Sequence, residues 1–284
     1  MLDFQSALAA DPRLRDWMHY GSYVDTGRKI LYVETPKCGC SSIKHFLLDI
    51  LVPGHSLRFN PLTPETRLDM MIHDRSQNPL QRLTNFSGDA LRDIVEGPGW
   101  FRFCVLRHPA ERFFSAWRDK IFLCEPGFEA YLHPDGRRFI EFSDFFAKAM
   151  REDPLACNPH WRSQTVLVRP DDIAYSKIYD ISELSDLPAD LAEHLGTEPG
   201  VLPRINESLP ISPDGFLTPE IIAGLRDFYQ LDFNRFEFAD LKVSWAAPRT
   251  AAELVTGFTD AIFDRNRMIA AYGDCLRQML TPRN

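Results

Sequence analysis

Residues 30–51, ILYVETPKCGCSSIKHFLLDIL, decide how the chain is read. Ile30–Glu34 is a short β-branched apolar run, Thr35–Ser42 is built of small residues, and Ile43–Leu51 spaces apolar side chains as a helix does, with Pro53-Gly54 as its stop. That is strand, loop, helix. A second unit of the same kind follows. Trp100–Leu106 (WFRFCVL) reads as a strand, and Arg107-His108-Pro109 opens the helix AERFFSAWRDKIF, with Pro109 in the first turn where a missing N–H is no loss. A third strand is expected at Lys177–Ile181. Ser87 and Ser143 are placed to cap helices, another helix is expected near 186–195, and Thr218-Pro219-Glu220 starts a further one. Strands alternating with helices imply an α/β architecture, a mostly parallel sheet flanked by helices. Residues 1–29 read as a short helix with a polar lead-in, and 53–84 as loop with a short helix. After Trp245 two helical patterns remain, one on Leu254, Phe258 and Ile262, the other on Met268, Tyr272, Leu276 and Met279. No linker divides the chain, so one domain over 1–284 is expected, with a core at about 29–238 and a helical extension over 240–284.

Composition narrows the function. The chain has 284 residues, with 32 Lys+Arg against 40 Asp+Glu for a net charge of −8. Hydrophobic residues at 44% and charged residues at 25% are ordinary globular values, and the length suffices to bury a core without staples. The acidic balance argues against general nucleic-acid binding. No run approaches the ~18 apolar residues of a membrane helix, and MLDFQSALAADPRLRDW lacks the basic and apolar regions of a signal peptide. A soluble cytoplasmic protein is expected, its oligomeric state left open. The six cysteines are too few for a disulfide scaffold, and Cys38 and Cys40 have neither redox nor zinc spacing, so no metal is expected.

The two strand-to-helix junctions carry the chemistry. Loop N–H groups and a helix N-terminus together make an anion site. Thr35, Pro36, Lys37, Cys38, Gly39, Cys40, Ser41 and Ser42 supply such a loop, Lys37 adding a point charge and the two serines hydroxyls. The ATPase pattern GxxxxGK[ST] is absent, and with it the hydroxyl that normally holds magnesium. The loop therefore suits a phosphate or sulfate group held by donors alone; a tight turn with a solvated lysine is the plainer alternative. Between Trp100 and Lys120 five bases face two acids, a local surplus of three positive charges in an acidic chain. Arg107 falls at the carboxyl end of a strand, where ligands bind in open α/β sheets. Ser115 lies about two helical turns further on, so the pair suits a second phosphate. Arg112 and Arg118 read as a solvated helix face.

TPKCGCSSIK after a strand resembles the 5′-phosphosulfate loop of sulfotransferases that use 3′-phosphoadenylyl sulfate (PAPS). FRFCVLRHPAERFFSAWRDKI resembles the 3′-phosphate segment of the carbohydrate sulfotransferases that include the chondroitin 4-O-sulfotransferases, sulfotransferase family 2. The matching positions are Phe101, Phe103, Arg107, Pro109, Arg112, Ser115, Ala116 and Lys120. Ordered matches continue through Ile72-His73, His160-Trp161, Gln164, Tyr179-Asp180, Glu183, Asn206, Ser208, Tyr229, Asp232 and Phe236, so the similarity spans about residues 29–238. The membrane anchor that begins the Golgi members is not found, which points to a soluble, bacterial-type enzyme and loosens the link to a glycosaminoglycan acceptor.

The resemblance implies a P-loop-like parallel sheet flanked by helices, and in-line transfer of a sulfuryl group from PAPS to an acceptor hydroxyl, with no metal. Lys37 would touch the 5′-phosphate and bridging oxygen, the loop N–H groups would hold that phosphate, and Arg107 and Ser115 would bind the 3′-phosphate, with Arg204 a further nucleotide contact. A general base is useful for a hydroxyl acceptor, and histidine titrates near neutrality. His73 is the preferred base, and His160 is the second candidate or an organiser of the acceptor site. Cys38 has two readings, a small residue the loop tolerates, which is preferred, or a thiol activated beside Lys37. Residues 53–84 and 125–165 would line the acceptor cleft, with Trp161, Phe128 and Tyr131 available to stack on a ring. The acceptor expected from the family is a carbohydrate hydroxyl, with another alcohol second. Two rival functions stand: an NTP-dependent, kinase-like transferase, and a non-catalytic nucleotide-binding scaffold.

Overall fold

A computed structural model describes residues 4–60, 63, 67–133, 137–205, 209–241, 243–244 and 247–280. Strands β1 (Ser22–Asp25), β2 (Ile30–Val33), β3 (Phe101–Leu106) and β4 (Lys177–Asp180) form one sheet in that order. β2, β3 and β4 run parallel, and β1 lies antiparallel on β2 with Tyr23 opposite Tyr32. The amino-terminal stretch corrects the sequence reading. It holds helices α1 (Phe4–Ala10) and α2 (Pro12–Gly21) and then β1, where a polar lead-in is expected. The carboxylate of Asp11 caps α2, accepting from the N–H groups of Arg13 at 2.9 Å and Leu14 at 3.3 Å.

Alternation along the strands sorts the core. Leu31, Val33, Cys104 and Leu106 point to one face, against α1, α2 and α4 (Gly88–Glu96). Ile30, Tyr32, Phe103 and Val105 point to the other, against α3 (Cys40–Leu51) and, after β4, a helix at Leu187–Leu195. Both faces are covered, as a parallel sheet requires. A third, aromatic cluster gathers beyond the sheet around α5 (Pro109–Ala116) and α6 (Phe142–Ala149), with Phe113 stacked on Phe145 at 4.8 Å. Each such phenyl ring contributes about 1.5–3 kcal/mol by leaving water.

Other element ends differ from the sequence reading. α5 stops at Ala116 and passes into a π-helical turn, Trp117–Ile121, where one continuous helix is expected. Glu141, not Ser143, stands at the start of α6. The carboxyl-terminal part is a single turn at Ala251–Leu254 followed by one 24-residue helix, Gly257–Leu280, rather than two helices; it buries Phe263 and Asn266, and the Asn266 amide donates to Leu123 O at 3.0 Å. Among the described residues no helix is long and apolar enough to cross a membrane. Trp245 and the family-matching Asn206 and Ser208 lie outside the described residues.

Two buried charges tie distant segments together. Arg112 is fully buried, which corrects its reading as a solvated residue. Its guanidinium donates to Pro36 O at 2.9 Å, Arg162 O at 2.7 Å and Pro159 O at 2.7 Å. Arg118 is likewise mostly buried, donating to Asp119 and to Ile211 O. Asp232, also fully buried, accepts from Ser163 Oγ at 2.5 Å and from the N–H groups of Gln164 and Thr165, each at 2.9 Å. It thereby caps the short helix α7 (Gln164–Val168). Lysine has no planar fork and cannot reach three carbonyls in different directions. Arg112→Lys is therefore expected to lower unfolding free energy by about 1.5–3 kcal/mol, read from urea midpoints; a loss under about 0.5 kcal/mol would remove the clamp from the account.

Candidate active site

The loop between β2 and α3 turns sharply because two residues take left-handed backbone angles, Lys37 at φ +71° and Gly39 at φ +78°. Glycine is at home there, whereas a lysine in that region is strained and is held by its surroundings. A Cβ on residue 39 would also sit 2.8 Å from Leu184 Cδ2. Gly39 stands at the N-cap just before α3 and offers no side-chain cap. The first-turn N–H groups of Cys40, Ser41 and Ser42 have no partner within the helix by construction, so this end of α3 is electropositive and available.

A cleft of about 690 Å³ opens over this loop, within the usual range for ligand pockets. Pro36, Lys37, Gly39, Cys40, Ser41, Arg107 and Ser115 line it together with His73 and His160. The two junctions thus converge because β2 and β3 are parallel neighbours whose carboxyl ends open on the same side. Arg107 is aimed by its own backbone: Gln164 accepts from its N–H at 3.1 Å and donates to its carbonyl at 2.9 Å.

Four of the expected site residues stand back from the cleft. Thr35 is buried, its hydroxyl without a partner among the described residues. Ser42 Oγ accepts from the Ile205 N–H at 3.1 Å. Arg204 is exposed and its neighbour Ile205, not Arg204, lines the cavity. Cys38 is fully buried, and burial pushes its thiol up to about 12, which corrects the activated reading. Two expected stacking rings belong to the core as well. Trp161 is fully buried and packs edge-on to Tyr131 at 5.2 Å, and both donate to Glu152; only Phe128 of the three lines the cleft.

The two histidines differ in what their rings touch. His160 Nδ1 lies 2.8 Å from Asn158 Oδ1, and the His160 backbone N–H donates to the same atom at 3.0 Å. A backbone N–H can only donate, so that atom is the amide oxygen and Nδ1 carries the ring proton. The lone pair of His160 is on Nε2. His73 has both nitrogens engaged, Nδ1 at 2.6 Å from Lys44 Nζ and Nε2 at 2.9 Å from Ser41 Oγ. Both rings titrate well below the usual histidine value. Burial is the main cause for each, followed by Lys44 for His73 and by Lys120 and Lys37 for His160.

Much of the cleft is invisible to motif reading. The cations are paired already: Lys37 with Asp119, Arg107 with Glu111 at 3.2 Å, and Lys120 with Glu125 at 2.9 Å. The π-helical turn brings the motif residue Lys120 to the cleft and sets Asp119 against Lys37, and irregular turns of this kind recur at functional sites. Arg13, Asp16, Trp17 and Tyr20 of α2 form one wall, with Trp17 Nε1 donating to Leu167 O at 2.9 Å. Iodoacetamide at pH 8 is expected to modify exposed Cys275 and to spare buried Cys38, as peptide mass mapping can show; rapid labelling of Cys38 would overturn its assignment as an inert core thiol.

Carbohydrate sulfotransferase 10 of Xenopus laevis is 24% identical over 251 residues, covering 77% of this chain and 67% of the relative. The Danio rerio protein of the same name is 26% identical over 251 residues, covering 76% of this chain and 66% of its own length. The Homo sapiens protein is 27% identical over 212 residues, covering 64% and 56%. This chain therefore spans between roughly half and two thirds of these three relatives. No solved structure matches. The profile of the Sulfotransferase family (Sulfotransfer_2) covers residues 21–239, from the last residue of α2 to just past the helix carrying Asp232, and on that extent the chain belongs to the Sulfotransferase family.

Proposed function

We propose that the protein transfers a sulfuryl group from PAPS to a hydroxyl of a carbohydrate acceptor, with His160 as general base. One observation carries the reading: Lys37 and Arg107, each at the end of its own parallel strand, line a single cleft with His160. The loop N–H groups of Gly39–Ser42 and the Lys37 ammonium hold the 5′-phosphosulfate, while Arg107 and Ser115 hold the 3′-phosphate. Such chemistry rests on positioning and charge stabilisation.

In the proposed step the acceptor oxygen attacks sulfur as the bond from sulfur to the bridging oxygen breaks. The bond's electrons stay with the 5′-phosphate, where Lys37 meets the developing charge, and the acceptor proton passes to His160 Nε2. The products are the sulfated acceptor and 3′,5′-adenosine bisphosphate. The ring tautomer set by Asn158 favours His160 over His73, whose Nδ1 is occupied by an ammonium. Arg13 and Asp16 on α2, and Phe128, are the acceptor-side candidates. The carbohydrate class comes from the names of the relatives.

Three measurements test this reading. Lys37→Ala and Arg107→Ala are each expected to weaken 3′,5′-adenosine bisphosphate binding about 10- to 100-fold by calorimetry, since hydrogen bonds to charged groups are worth about 1.5–3 kcal/mol; unchanged affinity in both removes the donor site. With labelled PAPS and a panel of saccharides and other alcohols, mass detection identifies the sulfated product. Labelling of alcohols but of no saccharide would reassign the acceptor class, and turnover that needs ATP and magnesium instead would favour the kinase-like alternative. His160→Ala should lower kcat about 10²- to 10⁴-fold with bisphosphate affinity unchanged. Because His160 titrates below the ordinary histidine value, its neutral, proton-accepting form persists as pH falls through about 6.5. The acidic limb of kcat/KM should accordingly lie below that pH, and a limb at or above it would exclude His160.

A further inference from the structure

His73 ends the short 3₁₀ segment Leu68–His73 and closes one side of the phosphate loop. Behind it a polar chain runs into the interior. Lys44 Nζ lies 3.0 Å from Glu34 Oε2, and Tyr23 OH donates to the same carboxylate oxygen at 3.1 Å. Lys44 and Glu34 are almost wholly buried, at 1% and 2% exposure, and each is the other's charge partner. An ammonium has three protons to donate and nothing to accept with. At 2.6 Å from Lys44, His73 Nδ1 must therefore be the acceptor, which puts the ring proton on Nε2, facing Ser41 Oγ at 2.9 Å. Ser41 Oγ accepts that proton, leaving its own hydroxyl hydrogen, whose contact here is a long one to Met70 Sδ at 4.0 Å, to turn to a stronger acceptor, and Ser41 lines the cleft in the first turn of α3. A base at position 73 would need a bare nitrogen, and this arrangement leaves none.

Resting on the donor reading above, we infer that His73 is a positioning residue: the buried Glu34–Lys44 pair sets its tautomer, and its Nε2–H aims the Ser41 hydroxyl at the 5′-phosphate of the donor. Burial works against the Lys44 charge, but Glu34 outweighs it and the ammonium titrates above its ordinary value, so the donor to Nδ1 persists across the neutral range. The chain has one direction, from a buried carboxylate through an ammonium and a neutral imidazole to a hydroxyl. Each link is a donor to the next except the first, which is the anion that holds the ammonium in place.

Calorimetry with 3′,5′-adenosine bisphosphate tests the chain without knowledge of the acceptor. His73→Ala and Ser41→Ala should each weaken binding about tenfold, and the double variant should be no more than about twofold weaker than either single one, as expected for residues acting as a unit. His73→Gln should restore affinity to within about threefold of the parent, because a glutamine amide can accept from Lys44 and donate to Ser41 yet cannot serve as a base. Parent-like binding by His73→Ala, or a His73→Gln variant as weak as His73→Ala, overturns the inference. If His73→Ala does not fold, the comparison of Ser41→Ala with His73→Gln decides it: loss in the first and retention in the second supports the chain, and any other pattern overturns it. Failure of the parent protein to bind the bisphosphate is a distinct outcome, which overturns the donor reading and this inference with it.

Discussion

The Arg112 guanidinium is the constraint on which the site depends. It sits fully buried and meets carbonyl oxygens from two segments, Pro36 in the loop after β2 and Pro159 and Arg162 around His160. A buried cation is costly unless dipoles replace its hydration, and three carbonyls aimed at one planar fork do so. Asp232 does the converse a few residues on, its carboxylate gathering the N–H groups of Gln164 and Thr165. The segment carrying His160 is thus held by its carbonyls at one end and by its amides at the other. Gln164, fixed in that way, then clamps the peptide of Arg107. His160, the Lys37 loop and Arg107 are placed by one connected set of buried polar contacts.

The same economy governs the charges in the cleft. An acidic chain of net charge −8 concentrates cations at one opening, and crowding them together unpaired would be unfavourable. Each of Lys37, Arg107 and Lys120 instead rests on a carboxylate of the α5 region or the turn after it. These pairs are partly exposed, so they hold the side chains in place with modest strength. A phosphate or sulfate presents more oxygens and more charge than one carboxylate, and in the proposed donor complex it competes for the same ammonium and guanidinium groups. The acids therefore keep the cations preorganised without blocking an anionic ligand.

How much of this could be read from sequence follows from the kind of pattern each feature leaves. The strand-loop-helix units at 30–51 and 100–122 were legible because apolar periodicity and small-residue loops are local signals. β1 was not, because Ser22–Asp25 is four residues long with polar ends and becomes a strand only by pairing with β2. Nor was the inward turn of Arg112, since long basic side chains on a helix are ordinarily solvated and its three acceptors come from 47 to 76 positions away. Lys44 is a local case of the same kind: it lies in an apolar helix, and Glu34, ten positions earlier just past the end of β2, explains its burial. α2 left no motif, and the family profile begins only at residue 21, after the four α2 side chains that wall the cleft. That wall therefore lies outside the extent shared with the family.

The two histidines show why residue type and motif position do not settle a role. Both are neutral and both face the cleft. Beside His160 stands an amide oxygen, which can only accept, so the ring donates from Nδ1 and keeps a lone pair on Nε2. Beside His73 stands an ammonium, which can only donate, so the ring accepts on Nδ1 and keeps a proton on Nε2. One imidazole is left able to take a proton and the other able to give a hydrogen bond. The difference lies in Asn158 and Lys44, and neither neighbour carries a signal that singles it out in the sequence.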